Sequence, residues 1–192
     1  MAKAREIANL SAEDPYGVAA ARIVEVRAQE LVDHSARVLD VADIERVHDM
    51  RVATRRLRAA LEVFEPCFPR RRLEATLREV KELADALGER RDRDVAIDSL
   101  QGFAAAISAP DRPGIDSLVE RFRAEQRTAN EGLAPFVLAE RLDSLHRRLR
   151  ELAADARANA GGPGVAAGHH EASPDGAGAV APRGNGRDGA GR

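Results

Sequence analysis

Between Asp14 and Asn159 the apolar residues return every three or four positions, in runs that Pro, Gly and Asp cut apart. That period is the mark of amphipathic helices, and the chain is expected to be all-α. A first helix is expected from Asp14-Pro15 to about Leu39, with Asp14 as the capping side chain and Pro15 suited to the first turn. In "DVADIE" Asp43 is the next N-cap, and the second helix stops near "EPCFPR", where Pro66 and Pro69 cannot continue it. Leu73, Leu77, Val80, Ala84 and Leu87 place a third helix over Arg70 to Leu87, and Gly88 stands where a C-terminal cap favours a left-handed residue. Asp92 or Asp94 would then cap a fourth helix running to about Ile107, completing an antiparallel four-helix bundle joined by short turns. One or two extra helices, Ile115 to about Asn130 and Pro135 to about Ala158, would extend that core or begin a second one.

A chain of 192 residues can bury one real core. Aromatics at 3%, no Trp and 32% charged residues suit long amphipathic helices. Residues 1–13 read as an N-terminal extension and 14–160 as the helical domain. Residues 161–192 are rich in Gly, Ala and Pro and nearly devoid of large apolar side chains, so they read as a disordered tail. The N-terminus lacks the apolar core of a signal peptide, and no run approaches the roughly 18 apolar residues of a membrane span, so a cytoplasmic protein away from the membrane is expected. A lone Cys67 cannot form an internal disulfide, which fits a reducing compartment. It reads as a small residue at a helix end, not a nucleophile.

The net charge of −2 gives no global attraction to nucleic acid or membrane, so any anion site must come from local segregation of charge. Such segregation occurs in "VHDMRVATRRLRAALEVF", Val47 to Phe64. At about 100° per residue, Val47, Met50, Thr54, Leu57, Leu61 and Phe64 fall in one sector and form the core-facing stripe. With His48 at zero, Arg55, Arg51 and Arg58 lie at about 340°, 300° and 280°, in a stripe beside the core. Arg56, at about 80°, and Arg46, at about 160°, point elsewhere on the same period. Like charges at these spacings repel by a few tenths of a kcal/mol per pair. Asp49 is the only acid between Arg46 and Arg58, so acids within the helix are insufficient compensation. A salt-bridged or solvated face and a polyanion site both answer to that pattern, since Arg forks match phosphate oxygens bidentately. On the third helix, Lys81 flanks the core stripe and can face the same groove. In "LGERRDRDV", Arg91 is expected near a helix N-terminus, where backbone amides favour anions.

Taken in order, the H-x-x-R-V-x-x-R-R-x-R helix, the Lys81 helix ending in Leu87-Gly88, and Arg91-Asp92-x-Asp94-Val95 resemble the N-terminal half of a CHAD domain, the conserved histidine α-helical domain. The resemblance spans roughly residues 14–100 and implies a helical protein with a basic groove that binds inorganic polyphosphate. Carried over, it implies that His48, Arg51, Arg55, Arg56 and Arg58 line that groove, with Lys81 and Arg91 contributing from the adjoining elements. Arg56 rests mainly on this resemblance. It also implies a second bundle with a similar histidine and arginine helix, and here the chain departs. "SLHRRLREL" around His146 lacks the V-x-x-R-R pattern, so the chain is expected to lack much of the second bundle. Either the protein is a shortened member with a shallow site, or two copies pair as a homodimer.

Non-enzymatic binding of inorganic polyphosphate is therefore the leading expectation, in the cytoplasm and beside polyphosphate granules. His48 would add a hydrogen-bond donor whose charge rises in acid. The alternative is a helical adaptor whose Arg stripe pairs with an acidic partner. Metal binding is disfavoured, because His34, His48, His146, His169 and His170 form no H-x-x-x-H pair and His48 stands among arginines. Nucleic acid is disfavoured by net charge and the scarcity of aromatics to stack on bases. No cofactor is expected, and no nucleophile with a base, phosphate loop or acidic metal cluster suggests an enzyme.

Overall fold

The computed structural model describes residues 3–160, and these form five α-helices: α1 (Tyr16–Ser35), α2 (Ile44–Val63), α3 (Arg70–Ala106), α4 (Arg112–Leu133) and α5 (Ala139–Ala160). Three single 3-10 turns, each containing a proline, lie between α2 and α3, α3 and α4, and α4 and α5. No strand occurs among the described residues, in agreement with the all-α expectation. The expected disordered tail, residues 161–192, lies outside the described residues.

The largest departure from the sequence reading is α3. Its 37 residues run without interruption through Gly88, about 55 Å at 1.5 Å per residue. A glycine inside a helix costs about 0.5–1 kcal/mol against alanine, too little to stop one whose buried series Leu83, Leu87, Arg90, Asp94, Ile97 keeps the helical period. Gly88 is therefore no C-terminal cap, and Asp92 and Asp94 cap nothing. The segment after Gly88 cannot fold back, so the fourth place in the bundle belongs to α5. There α1 packs on α2 and α5, and α2 packs on α3. The first half of α3 faces α5 across the pairs Arg72 to Asp155 and Arg141 to Glu82. Its second half leaves the bundle and forms an antiparallel hairpin with α4, where Arg93 meets Glu125.

Two helix starts differ in detail. Asp14 does not cap α1: its carboxylate accepts from the Ser11 amide at 2.9 Å and from Arg22 at 2.5 Å, while the Pro15 carbonyl accepts from Val18 and Ala19. Asp43 does occupy the N-cap of α2, but its carboxylate pairs with Arg46 Nε at 2.9 Å and bonds no backbone amide. At the other end α1 stops at Ser35, short of Leu39: Ala36 leaves the helical region with ψ 121° and Arg37 follows in a left-handed conformation with φ 58°.

The core gathers leucines from α2, α3 and α5 with small residues of α1, among them Ala20, Ala21 and Ala28. Small residues let α1 approach α5 closely, and Gly17 is the tightest point. A Cβ on Gly17 would run into the carbonyl oxygen of Ala156 and stand 3.0 Å from the Ala160 Cβ. Farther along, Arg157 donates to both oxygens of Glu25 at 2.6 and 2.5 Å, and those bonds hold the Glu25 carboxyl below its usual range. Gly17→Ala should therefore lower stability by about 1–3 kcal/mol through overpacking, although alanine is the better helix former. Urea unfolding checks it, and an unchanged midpoint would show that α1 and α5 separate without cost.

Candidate functional site

On α2 the core stripe follows the helical wheel: Val47, Met50, Thr54, Leu57 and Leu61 are buried, with Ala53 and Ala60. Phe64, just past the helix, is half-buried. Burying the Thr54 hydroxyl is tolerated because Oγ1 donates to the Met50 carbonyl at 2.8 Å. With that stripe inward, His48, Arg51 and Arg58 become half-buried and Arg55 exposed along the neighbouring face. Arg56 is half-buried and stands off the stripe on the helix flank.

The structure brings α3 alongside this face. Arg91 donates from Nη1 to the Ile44 carbonyl at 3.2 Å, and its Nη2 lies 3.7 Å from Glu45, tying the middle of α3 to the first turn of α2. The expected helix N-terminus beside Arg91 does not exist, because α3 is continuous there. Lys81 is exposed on α3. So is Arg78, one turn earlier, a cation absent from the expected set although its i, i+3 spacing to Lys81 was legible.

The charges of this face are unevenly compensated. Arg58 donates from Nε to Glu62 at 2.7 Å, and that bond, with the charges of Glu62 and Asp85, raises its pKa. Glu62 is thus an acid of the same helix that the count between Arg46 and Arg58 left out. Among the described residues no carboxylate reaches ion-pair distance of Arg51, Arg55, Arg78 or Lys81. Arg51 Nε is buried and has no hydrogen-bond partner. Elsewhere, arginines such as Arg72, Arg141 and Arg157 are matched across helices.

Two clusters escaped the sequence reading. Arg90 is 0% exposed and pairs with Asp94, itself 1% exposed, while Gln126 of α4 donates to the same Asp94 oxygen at 2.6 Å. Burial, with the charge of Arg91 beside it, lowers the pKa of Arg90. The signal was there, since positions 90 and 94 continue the buried series of α3, but charged residues broke the apolar pattern that marks a core. At the start of α2, Glu45, His48 and Asp49 each place one ligand atom within 4.8 Å of the others. An imidazole with two carboxylates is a workable donor set for a divalent cation, at i, i+3, i+4 spacing that a search for paired histidines overlooks. Arg91 competes for Glu45 in that set.

Cys67 is buried at 7% exposure, and burial pushes its thiol pKa up, opposite to what a reactive thiolate requires. Among the described residues, no helix is long and apolar enough to cross a membrane.

The fold defines an all-α bundle protein extended by a helical hairpin. Residues 22–188 match the family model of the CHAD domain, and the chain belongs to that family. The match reaches well beyond the stretch that carries the sequence motifs. Neither a curated protein nor a solved structure matches the chain.

The buried pair makes a direct test of the junction between bundle and hairpin. Arg90→Met strands the Asp94 carboxylate in the interior and should cost about 3–5 kcal/mol, while Arg90→Met combined with Asp94→Leu should recover most of the loss. Urea unfolding of both variants decides it, and equal losses would mean that the pair is not acting as a unit.

Proposed function

We propose that this CHAD-domain protein binds inorganic polyphosphate without chemistry of its own, along the face that His48, Arg51, Arg55, Arg58, Lys81 and Arg91 line, with Arg56 at its flank. What supports the reading is the uncompensated charge. Arg51, Arg55 and Lys81 meet no carboxylate among the described residues, whereas arginines at the seams of α1 and α3 with α5, such as Arg72 and Arg157, are matched across helices. A linear polyanion provides what those cations lack. Each phosphate accepts bidentate bonds from a guanidinium, and released counterions make the affinity steeply dependent on salt. The setting that suits this role is the cytoplasm, beside polyphosphate granules.

Titration against long-chain polyphosphate and duplex DNA at about 150 mM salt tests the reading, since non-specific phosphate attraction is reduced there. Selective polyphosphate binding supports it. Binding to neither, with capture of an acidic protein that polyphosphate does not displace, would favour the adaptor alternative. Arg51→Ala with Arg55→Ala should weaken binding at least 100-fold, taking about 1.5–3 kcal/mol for each charged contact, and should leave the melting temperature nearly unchanged. Unaltered affinity would remove the stripe from the site.

The described residues hold one stripe of this kind, on α2, and two copies side by side would supply two. In the paired form, sedimentation at binding concentrations gives the mass of a dimer. A monomer that binds tightly excludes pairing.

A further inference from the structure

Gly88 stands in the interior of α3, where the sequence pattern offers no reason for a residue that weakens a helix by about 0.5–1 kcal/mol relative to alanine. Its backbone is ordinary helix. Nor is it a tight crossing of the Gly17 kind. Around a Cβ built on Gly88, the one neighbouring heavy atom is Arg51 Nε, at 4.0 Å, an ordinary van der Waals distance. The space a larger side chain would claim is therefore next to the guanidinium of a stripe arginine.

Arg51 shows the matching feature from the other side. Its Nε is buried and without a hydrogen-bond partner, while its two terminal nitrogens are not buried in that way. A charged group with no ion pair would ordinarily extend into water. Here the inner part of the guanidinium is covered by protein and the outer nitrogens stay accessible. Such an arrangement withholds hydration from one donor and restricts a side chain that carries about 2 kcal/mol of rotamer entropy, so part of the ordering cost is met before a ligand arrives.

We infer that Gly88 is a positioning residue: the absence of any side chain beyond Cβ there leaves a notch in α3 against which Arg51 lies, and the notch fixes the direction in which that arginine presents its terminal nitrogens. The inference rests on the polyphosphate reading for its functional meaning, but the notch itself is independent of any ligand. Gly88→Ala adds a single carbon in ordinary contact and keeps the notch. Gly88→Leu adds three more carbons beyond it and displaces the guanidinium. Both are better helix formers than glycine, so stability and binding are expected to move in opposite directions.

The test compares the full chain with Gly88→Ala, Gly88→Leu, Arg51→Ala and the double variant Gly88→Leu/Arg51→Ala. Long-chain polyphosphate is titrated at several salt concentrations, and each protein is melted. Gly88→Ala should bind within about twofold of wild type and melt at the same temperature or higher. Gly88→Leu should melt no lower than wild type yet bind about 10-fold more weakly, the scale of one charge-assisted contact, with a salt slope shallower by about 0.7. In the Arg51→Ala background the leucine should have no further effect, which a general structural disturbance would not reproduce. If the leucine weakens binding equally in both backgrounds, or leaves it unchanged while Arg51→Ala weakens it, the role of Gly88 is overturned.

A second readout separates this inference from the function. The Arg51 Nε–H, followed by nitrogen-15 NMR without ligand, should exchange slowly in wild type and in Gly88→Ala, and fast in Gly88→Leu. Equal exchange in wild type and Gly88→Leu overturns the notch whatever the titrations show. Absent binding by wild type with the expected exchange difference overturns the polyphosphate reading and leaves the notch standing.

Discussion

The continuity of α3 sets the geometry of everything around it. One helix belongs to the bundle over its first half and to the hairpin with α4 over its second, so a single backbone orients the two. At the junction the helix turns Arg90 and Asp94 into the interior, and Gln126 closes the pair from α4. Asn130, one turn further along α4, donates to the Leu39 carbonyl at 3.0 Å and fastens the hairpin to the connection between α1 and α2. A buried ion pair is weak evidence for stability, because desolvation offsets much of its attraction. Its geometric consequence is firmer. Apolar contacts tolerate sliding, whereas the Asp94 carboxylate, already paired with Arg90 within α3, needs the Gln126 amide of α4 at one register.

The bundle handles its exposed charges differently. Ion pairs join α1 to α5 through Glu25 and Arg157, and α3 to α5 through Asp155, Glu79 and Glu82 with Arg72, Arg148 and Arg141. Such surface pairs contribute little individually, about 0–1 kcal/mol, but they show where positive charge has been matched. Along α2, Arg46 is matched by Asp43 and Arg58 by Glu62, while Arg51 and Arg55 between them meet no carboxylate among the described residues. Self-repulsion is modest for exposed charges in water, so the fold tolerates Arg51 and Arg55 unmatched, and the same charges remain available to a ligand.

The face of α2 was legible because two independent patterns agree there. Apolar residues at Val47, Met50, Leu57 and Leu61 determine which side is buried, and the spacing of Arg51, Arg55 and Arg58 then places them together on the neighbouring face. The ends and interior of α3 were less legible, for an energetic reason. Gly88 and the aspartates after it resemble a helix stop and restart, yet a glycine penalty below about 1 kcal/mol is small beside the burial of a leucine, about 1.5–3 kcal/mol. Leu87 and Ile97 on either side outweigh it. From that one misreading followed the others: α5 was placed outside the four-helix core, Arg91 was given a helix terminus, and Asp94 was treated as a cap when it is among the most buried residues. Partners so distant in sequence, such as Asp94 and Gln126, become visible only once the path of α3 is known.

Asking one helix for both a core stripe and a row of cations is consistent with its physics. A guanidinium on a mobile loop would surrender its freedom on meeting a phosphate, and part of the attraction would be spent in ordering it. On α2 the backbone is already fixed by the leucines one face away, and Arg51 is further restricted by the covering of its Nε. Under the polyphosphate reading proposed above, the core would therefore contribute to recognition without touching the ligand. The arginines, for their part, limit how the helix can be buried, since turning it to hide more apolar surface would pull unmatched charge out of water. Each stripe thus holds the other in register, and the rotation of α2 is determined from both sides.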